Sequence, residues 1–129
     1  MPDLGQLRAA YAWEKVQGCG EKYANLAKAA PALIMGNGLM QTLAFYQSKE
    51  DYHQRLNQHI CEWLAKRFQG DGQFRRLSSP EDSTPEDLFK KTMRALAEAP
   101  PRRYRQATEE AMALLRWIRQ FAAAVSDLE

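Results

Sequence analysis

The chain has 129 residues, enough for one domain that buries roughly two thirds of its unfolded surface without covalent or metal staples. Its apolar share of 45% and charged share of 26% are those of an ordinary globular protein. A formal net charge of +2 excludes polyelectrolyte character, so any surface for a charged partner must come from placement rather than totals.

The first element opens on Asp3 and Gln6, spaced as in a capping box. Behind them Ala12, Val16, Cys19, Tyr23, Leu26 and Ala30 recur at alternating steps of four and three. At about 100° per residue they form one stripe, so residues 3 to 29 are expected to be one long helix. Gly18 and Gly20 weaken it locally and are expected to mark a close crossing by another helix. Pro31 ends this helix and can serve as the first residue of the next.

Pro31 to Lys49, PALIMGNGLMQTLAFYQSK, is the most apolar stretch of the chain. Its glycines, Gly36 and Gly38, should each cost a helix about 1 kcal/mol relative to alanine. Either the chain turns there or another backbone packs too closely for side chains. The apolar period resumes beyond Gly38 without a phase break, which favours a continuous helix. Apolar groups around most of its girth make it the expected central helix of a bundle.

Ser48 and Asp51 form another capping pattern and are expected to launch a third helix, with Tyr52, Leu56, Ile60, Trp63, Leu64 and Phe68 as its apolar face and Gly70 as its cap. Residues 70 to 84 have no period and many turn formers, and are expected to be one long loop. Thr84-Pro85-Glu86-Asp87 then starts a fourth helix: a capping threonine, proline at the first position, acids in the first turn. Its core face is Leu88, Phe89, Thr92, Met93 and Leu96. Pro100 and Pro101 stop it and introduce the last helix, which carries Tyr104, Ala107, Ala111, Leu114, Leu115, Ile118, Ala122 and Val125 in clear period. No strand-like alternation competes anywhere. The expectation is an all-α, single-domain bundle of about five helices over residues 1–129.

No catalytic constellation emerges. Cys19 and Cys61 are isolated and lie on apolar stripes, as reduced core thiols of a cytosolic protein would. His53 and His59 are six apart, off the spacing of a helical ligand pair, and are expected to be partly exposed. There is no HExxH, GxSxG, Walker-type loop or paired acidic metal motif, so no metal, cofactor or enzymatic activity is expected. The N-terminus lacks the plan of a secretory signal, and no run approaches the ~18 apolar residues of a membrane span. A cytoplasmic protein is expected.

Charge placement says more. On the last helix Arg102, Arg105 and Arg116 project within about 60° of one another, away from the apolar stripe, with Arg119 close by and Arg103 at the helix entry. Glu109 shares that face and can pair with Arg105. The planar fork of arginine suits phosphate, so this face suits nucleic acid or an acidic partner; the plainer alternative is a solvated helix face. Arg8, Lys15 and Lys22 are seven apart on the first helix, on the flank of its stripe, where long side chains also snorkel over a core edge. Trp13 and Trp117 each project roughly 100° from the centre of their stripes. They lie at the margin of the core or, if exposed, on a docking surface.

Three blocks, YAWEKV (Tyr11 to Val16), PALIMGNGLMQTLAFYQSK and YRQATEEAMALLRWIRQFA (Tyr104 to Ala122), together resemble the small subunit of the type III-B CRISPR effector, the Cmr complex. The resemblance runs in order over nearly the whole chain except the stretch around residues 70 to 84. It is most specific at Asn37-Gly38-Leu39 and Thr42-Leu43-Ala44-Phe45. It implies an all-helical subunit without catalytic activity, whose copies stack as a minor filament beside the backbone subunits that hold the guide RNA, in a complex that also contains a large subunit. Leu33, Ile34, Leu39, Leu43 and Phe45 match the family pattern, yet their expected work is in the core. With that resemblance, Lys15, Lys22, Arg105, Arg116 and Arg119 become candidates to line a groove for the guide–target RNA duplex, through contacts to phosphate. Trp13 and Trp117 become candidate protein contacts. The competing reading is a self-associating helical module that binds only protein. A small nuclease with a dispersed site is disfavoured by the lack of an acidic metal cluster.

Overall fold

In the computed structural model, residues 1–69 and 84–128 are described. Among the described residues there are six helices and no strand: α1 Leu4–Val16, α2 Gly20–Asn37, α3 Leu39–Gln47, α4 Asp51–Arg67, α5 Pro85–Glu98 and α6 Pro101–Ser126. The all-α expectation holds, with six helices in place of about five.

Two joints differ from the sequence reading, and glycine explains both. The expected first helix is broken between Val16 and Gly20, where Gly18 and Gly20 take φ of 73° and 84°. A Cβ on either would meet nothing within 4 Å, so these glycines serve a left-handed turn and mark no close crossing. The expected central helix is also broken. Gly38 takes φ 88° and ψ 161°, a conformation essentially reserved for glycine. Its N–H closes α2 on the Ile34 carbonyl at 2.8 Å, and its own carbonyl accepts from the Thr42 N–H at 3.2 Å and the Thr42 hydroxyl at 2.9 Å.

Pro31 neither ends nor begins a helix; it stands inside α2. There it withholds the N–H that would have bonded the Ala27 carbonyl, at a cost of about 3 kcal/mol. Burial of Ala24, Ala27, Ala30 and Ile34 along the same helix holds α2 in place against that cost. Helix α4 starts from Glu50, while Ser48 instead closes α3, its hydroxyl donating to the Phe45 carbonyl at 2.7 Å. Phe68 closes α4. The expected cap at Gly70 and the expected loop, except Thr84, lie outside the described residues. The other caps form as read: Asp3 and Gln6 bond each other's backbone at 2.8 Å, and the Thr84 hydroxyl accepts from the Asp87 N–H at 3.1 Å.

The axis of the bundle is α6, not the Pro31–Lys49 segment. Helices α1 and α2 pack along it, α4 touches it, and α3 and α5 pack on α4. Arg8 meets Glu110 and Trp13 meets Phe121, so α1 runs in the same direction as α6. Gly38 and Met40 lie beside Tyr104, while Asn25 and Ala123 line one cavity, so α2 runs the opposite way. The fully buried alanines of α2 and α6 let these two helices approach closely.

Candidate nucleic-acid interface

The outward face of α6 carries Arg105, Arg116 and Arg119, all exposed. The helix is unbroken from Pro101 to Ser126, so the projected grouping of the three survives in the structure. Among the described residues none of the three forms an ion pair, and the expected Arg105–Glu109 pair is not made.

The two lysines do not join that face or each other. The break before Gly20 ends the alignment expected of a single helix. Lys15 is about one quarter exposed and bonds Glu62 of α4 at 3.4 Å. Lys22 is exposed, its ammonium 6.0 Å from the Tyr52 ring. Those α4 partners are ten residues apart, about 15 Å along the helix.

Trp13 and Trp117 are 50% and 36% exposed, so both stand outside the core. Phe121 joins them. Its ring lies 5.4 Å from that of Trp13, edge to face, and 5.6 Å from that of Trp117, tilted. The two tryptophans therefore belong to one aromatic cluster on the seam between α1 and α6.

Sequence reasoning missed two buried polar joints. Glu110 is 5% exposed and takes a forked bond from Arg8 of α1, at 3.0 Å from Nε and 2.6 Å from Nη2. Trp63 of α4 donates its indole N–H at 2.9 Å, and Arg67 lies at 3.6 Å. Burial by itself would raise the Glu110 pKa; the bonds from Arg8 and Trp63 and the charges of Arg8 and Arg67 outweigh it and hold the carboxyl below its ordinary value. Its place between Ala107 and Leu114, at steps of three and four on an apolar stripe, was the available signal.

The second joint centres on His59, which is buried rather than partly exposed as expected; His53 is partly exposed. The Tyr23 hydroxyl and His59 Nδ1 are bonded at 2.7 Å, and the Tyr11 hydroxyl donates to the His59 carbonyl at 2.6 Å. Burial pushes the His59 pKa down to about 4, and it raises those of Tyr11 and Tyr23 beyond any physiological range. The imidazole is thus a neutral structural group. Neither cysteine forms a disulfide, and burial pushes the Cys61 thiol up to about 12. Among the described residues no three His, Cys, Asp or Glu side chains are grouped to hold a metal ion, and no helix is long and apolar enough to cross a membrane.

A groove opens beside Glu110 where α1, α4 and α6 meet. Arg8, Arg67 and Arg103 line it together with Glu109 and Glu110. The guanidinium carbons of Arg67 and Arg103 lie 5.2 and 5.3 Å from the centre of the Phe68 ring. Compared with known protein families, the chain matches the one described as CRISPR-associated protein (Cas_Cmr5) over residues 4–125.

Proposed function

The chain belongs to this CRISPR-associated family, the small subunits of the type III-B Cmr complex, and we propose on that premise that its task is structural and not catalytic. Other Cmr subunits are its partners. In our reading it joins the backbone and large subunits, stacks with copies of itself as a minor filament, and steadies the guide–target RNA duplex.

The observation that carries the RNA part of this reading is the face of Arg105, Arg116 and Arg119: three exposed guanidiniums on one unbroken helix, without an acidic partner among the described residues. Base pairing already supplies specificity, so contacts to phosphate suffice. Lys22 has a free approach to a second stretch of backbone, whereas Lys15 is engaged with Glu62 and contributes less. Replacing the three arginines by glutamate should leave the complex assembled, weaken target binding and flatten its salt dependence by about 0.7 to 0.9 per lost phosphate contact. A complex that assembles and binds target with an unchanged salt slope would overturn the assignment. Recovery of the chain from its host without effector subunits or guide RNA would instead favour the protein-only module.

A further inference from the structure

We propose that a polar pocket between α3, α4 and α5 receives an arginine side chain of a neighbouring protein subunit. This rests on the place in a Cmr assembly argued above, but names a surface that the RNA reading does not use.

The pocket holds about 170 Å³, room for one side-chain head group. Asn57 and Cys61, both buried, line it together with the partly buried Gln47, Gln54 and Gln58. Three of these amides use their donors elsewhere. Asn57 Nδ2 donates to the Leu43 carbonyl at 2.6 Å and to Gln47 Oε1 at 3.2 Å. Gln54 Nε2 donates to the backbone carbonyls of Gln47 and Lys49, each at 3.2 Å, and Gln58 Nε2 donates to Glu62 Oε1 at 3.0 Å. A carbonyl or carboxylate oxygen can only accept, so none of the three amides can be flipped without losing its bond. What remains for a ligand is oxygen. Asn57 is 1% exposed, and its Oδ1 has no hydrogen-bond partner among the described residues. The side-chain oxygens of Gln54 and Gln58 accept no bond among these residues either.

A buried acceptor without a donor is costly, and a ligand that brings a donor relieves it. The rim sets the charge of that ligand. Asp51 and Glu86 line the pocket against one cation, Arg55, and all three are exposed. Arg55 donates to none of the pocket oxygens among the described residues. The N-termini of α4 and α5 meet at this rim, where a helix favours an anion, yet each already carries its own acid: Asp51 on α4, Glu86 and Asp87 on α5. These carboxylates repel phosphate, so a nucleic-acid strand is disfavoured here. Among cations the planar one fits best. Phe89 gives the pocket an aromatic wall, on which a guanidinium stacks. Oxygens grouped around a flat site suit the five forked N–H donors of arginine better than the three of a compact ammonium. An arginine inserted by a partner is also a common anchor of protein interfaces.

The test uses the full, isotope-labelled chain and three capped tripeptides with arginine, lysine or citrulline between two glycines, citrulline being the uncharged isostere of arginine. Amide resonances are followed as each peptide is added. The pocket predicts millimolar binding of the arginine peptide, with the largest shifts at the Asn57 side-chain amide and at Gln58 and Phe89. The citrulline and lysine peptides should each bind about fivefold more weakly. Asn57 also ties α4 to α3, so the variants are placed on the wall and the rim. Phe89→Leu and Glu86→Gln should each weaken the arginine peptide about threefold. Equal affinity for the three peptides, shifts centred elsewhere, or a spectrum unchanged at tens of millimolar arginine peptide overturns the proposal. So does a short oligoadenylate that moves the same resonances, since the pocket then takes the amino group of a base. In the host, Glu86→Arg should lower recovery of the chain with other Cmr subunits, and unchanged recovery sinks the assignment. An unaltered chain recovered without those subunits sinks the assembly reading instead, while the peptide titration still decides the pocket. An unaltered chain that is recovered with them but ignores the arginine peptide sinks the pocket alone.

Discussion

Glu110 ties three helices to one carboxylate. Because Arg8, Trp63 and Arg67 all converge on it, removing it strands two cations and an indole N–H rather than one partner. Glu110→Ala should therefore cost about 3 kcal/mol, and Glu110→Gln less, measured as the shift in urea unfolding. His59 sets the response to acid. Its folded pKa, about 4, lies below the ordinary 6.5, so the unfolded chain takes up a proton that the folded chain refuses. The stability this group contributes is complete above about 6.5 and is lost as the pH falls towards 4, by about 3 kcal/mol across that window. Glu110, held below its own ordinary value, adds a further loss at lower pH. Unfolding free energy followed from pH 7 downward should decline in that window, and His59→Gln should flatten the decline. A polar residue on an apolar stripe was visible in the sequence for both. Its partners were not, since Arg8 and Glu110 are 102 positions apart in the chain.

At the scale of the element, the period of apolar residues located the helical segments but not their joints. Both turns bring the chain back to the same core, so the stripe continues in phase across a break in the helix. What ends α1 and α2 is the backbone angle of Gly18, Gly20 and Gly38, which no hydrophobic pattern encodes. The two glycines of the Gly36-Asn37-Gly38 segment should accordingly respond in opposite senses. Gly36 is helical, and a Cβ there meets nothing within 4 Å, so Gly36→Ala should stabilise the protein by about 0.5 to 1 kcal/mol. At Gly38 an added Cβ finds room, 3.8 Å from the Tyr104 hydroxyl, yet the positive φ makes alanine costly by about 1 to 3 kcal/mol. Thermal melts of the two variants decide it. The same elbow depends on Tyr104, whose hydroxyl accepts the Met40 N–H at 3.0 Å and so caps the start of α3. Tyr104→Phe should cost about 1 kcal/mol. Two of the blocks that carry the family resemblance thus meet at this one turn.

For the molecule as a whole, a small net charge conceals an uneven surface. Reversing Arg105, Arg116 and Arg119 changes the formal charge by two at each of three positions, from +2 to −4. An equal reversal at Lys28, Lys90 and Arg94, which are exposed elsewhere, gives the same total. If placement governs the RNA contact, the first set should flatten the salt slope of target binding and the second should leave it unchanged. Two variants with equal slopes would assign the effect to net charge. The all-helical class and the grouping on α6 were legible because both follow from the 3.6-residue period alone. The arginine groove was not, because Arg8, Arg67 and Arg103 come from three helices.

The pairing of α1 with α6 also has a consequence in time. Some 110 positions separate Val16 from Ser126, the ends of the two helices. At about 5 to 20 residues per second, α1 leaves the ribosome roughly 5 to 20 seconds before its partner is complete. A 13-residue helix is marginal in water when alone. Helix α1 therefore waits for the partner along which it mainly packs, and until then the apolar residues it turns to α6 are open to chaperones and to other nascent chains.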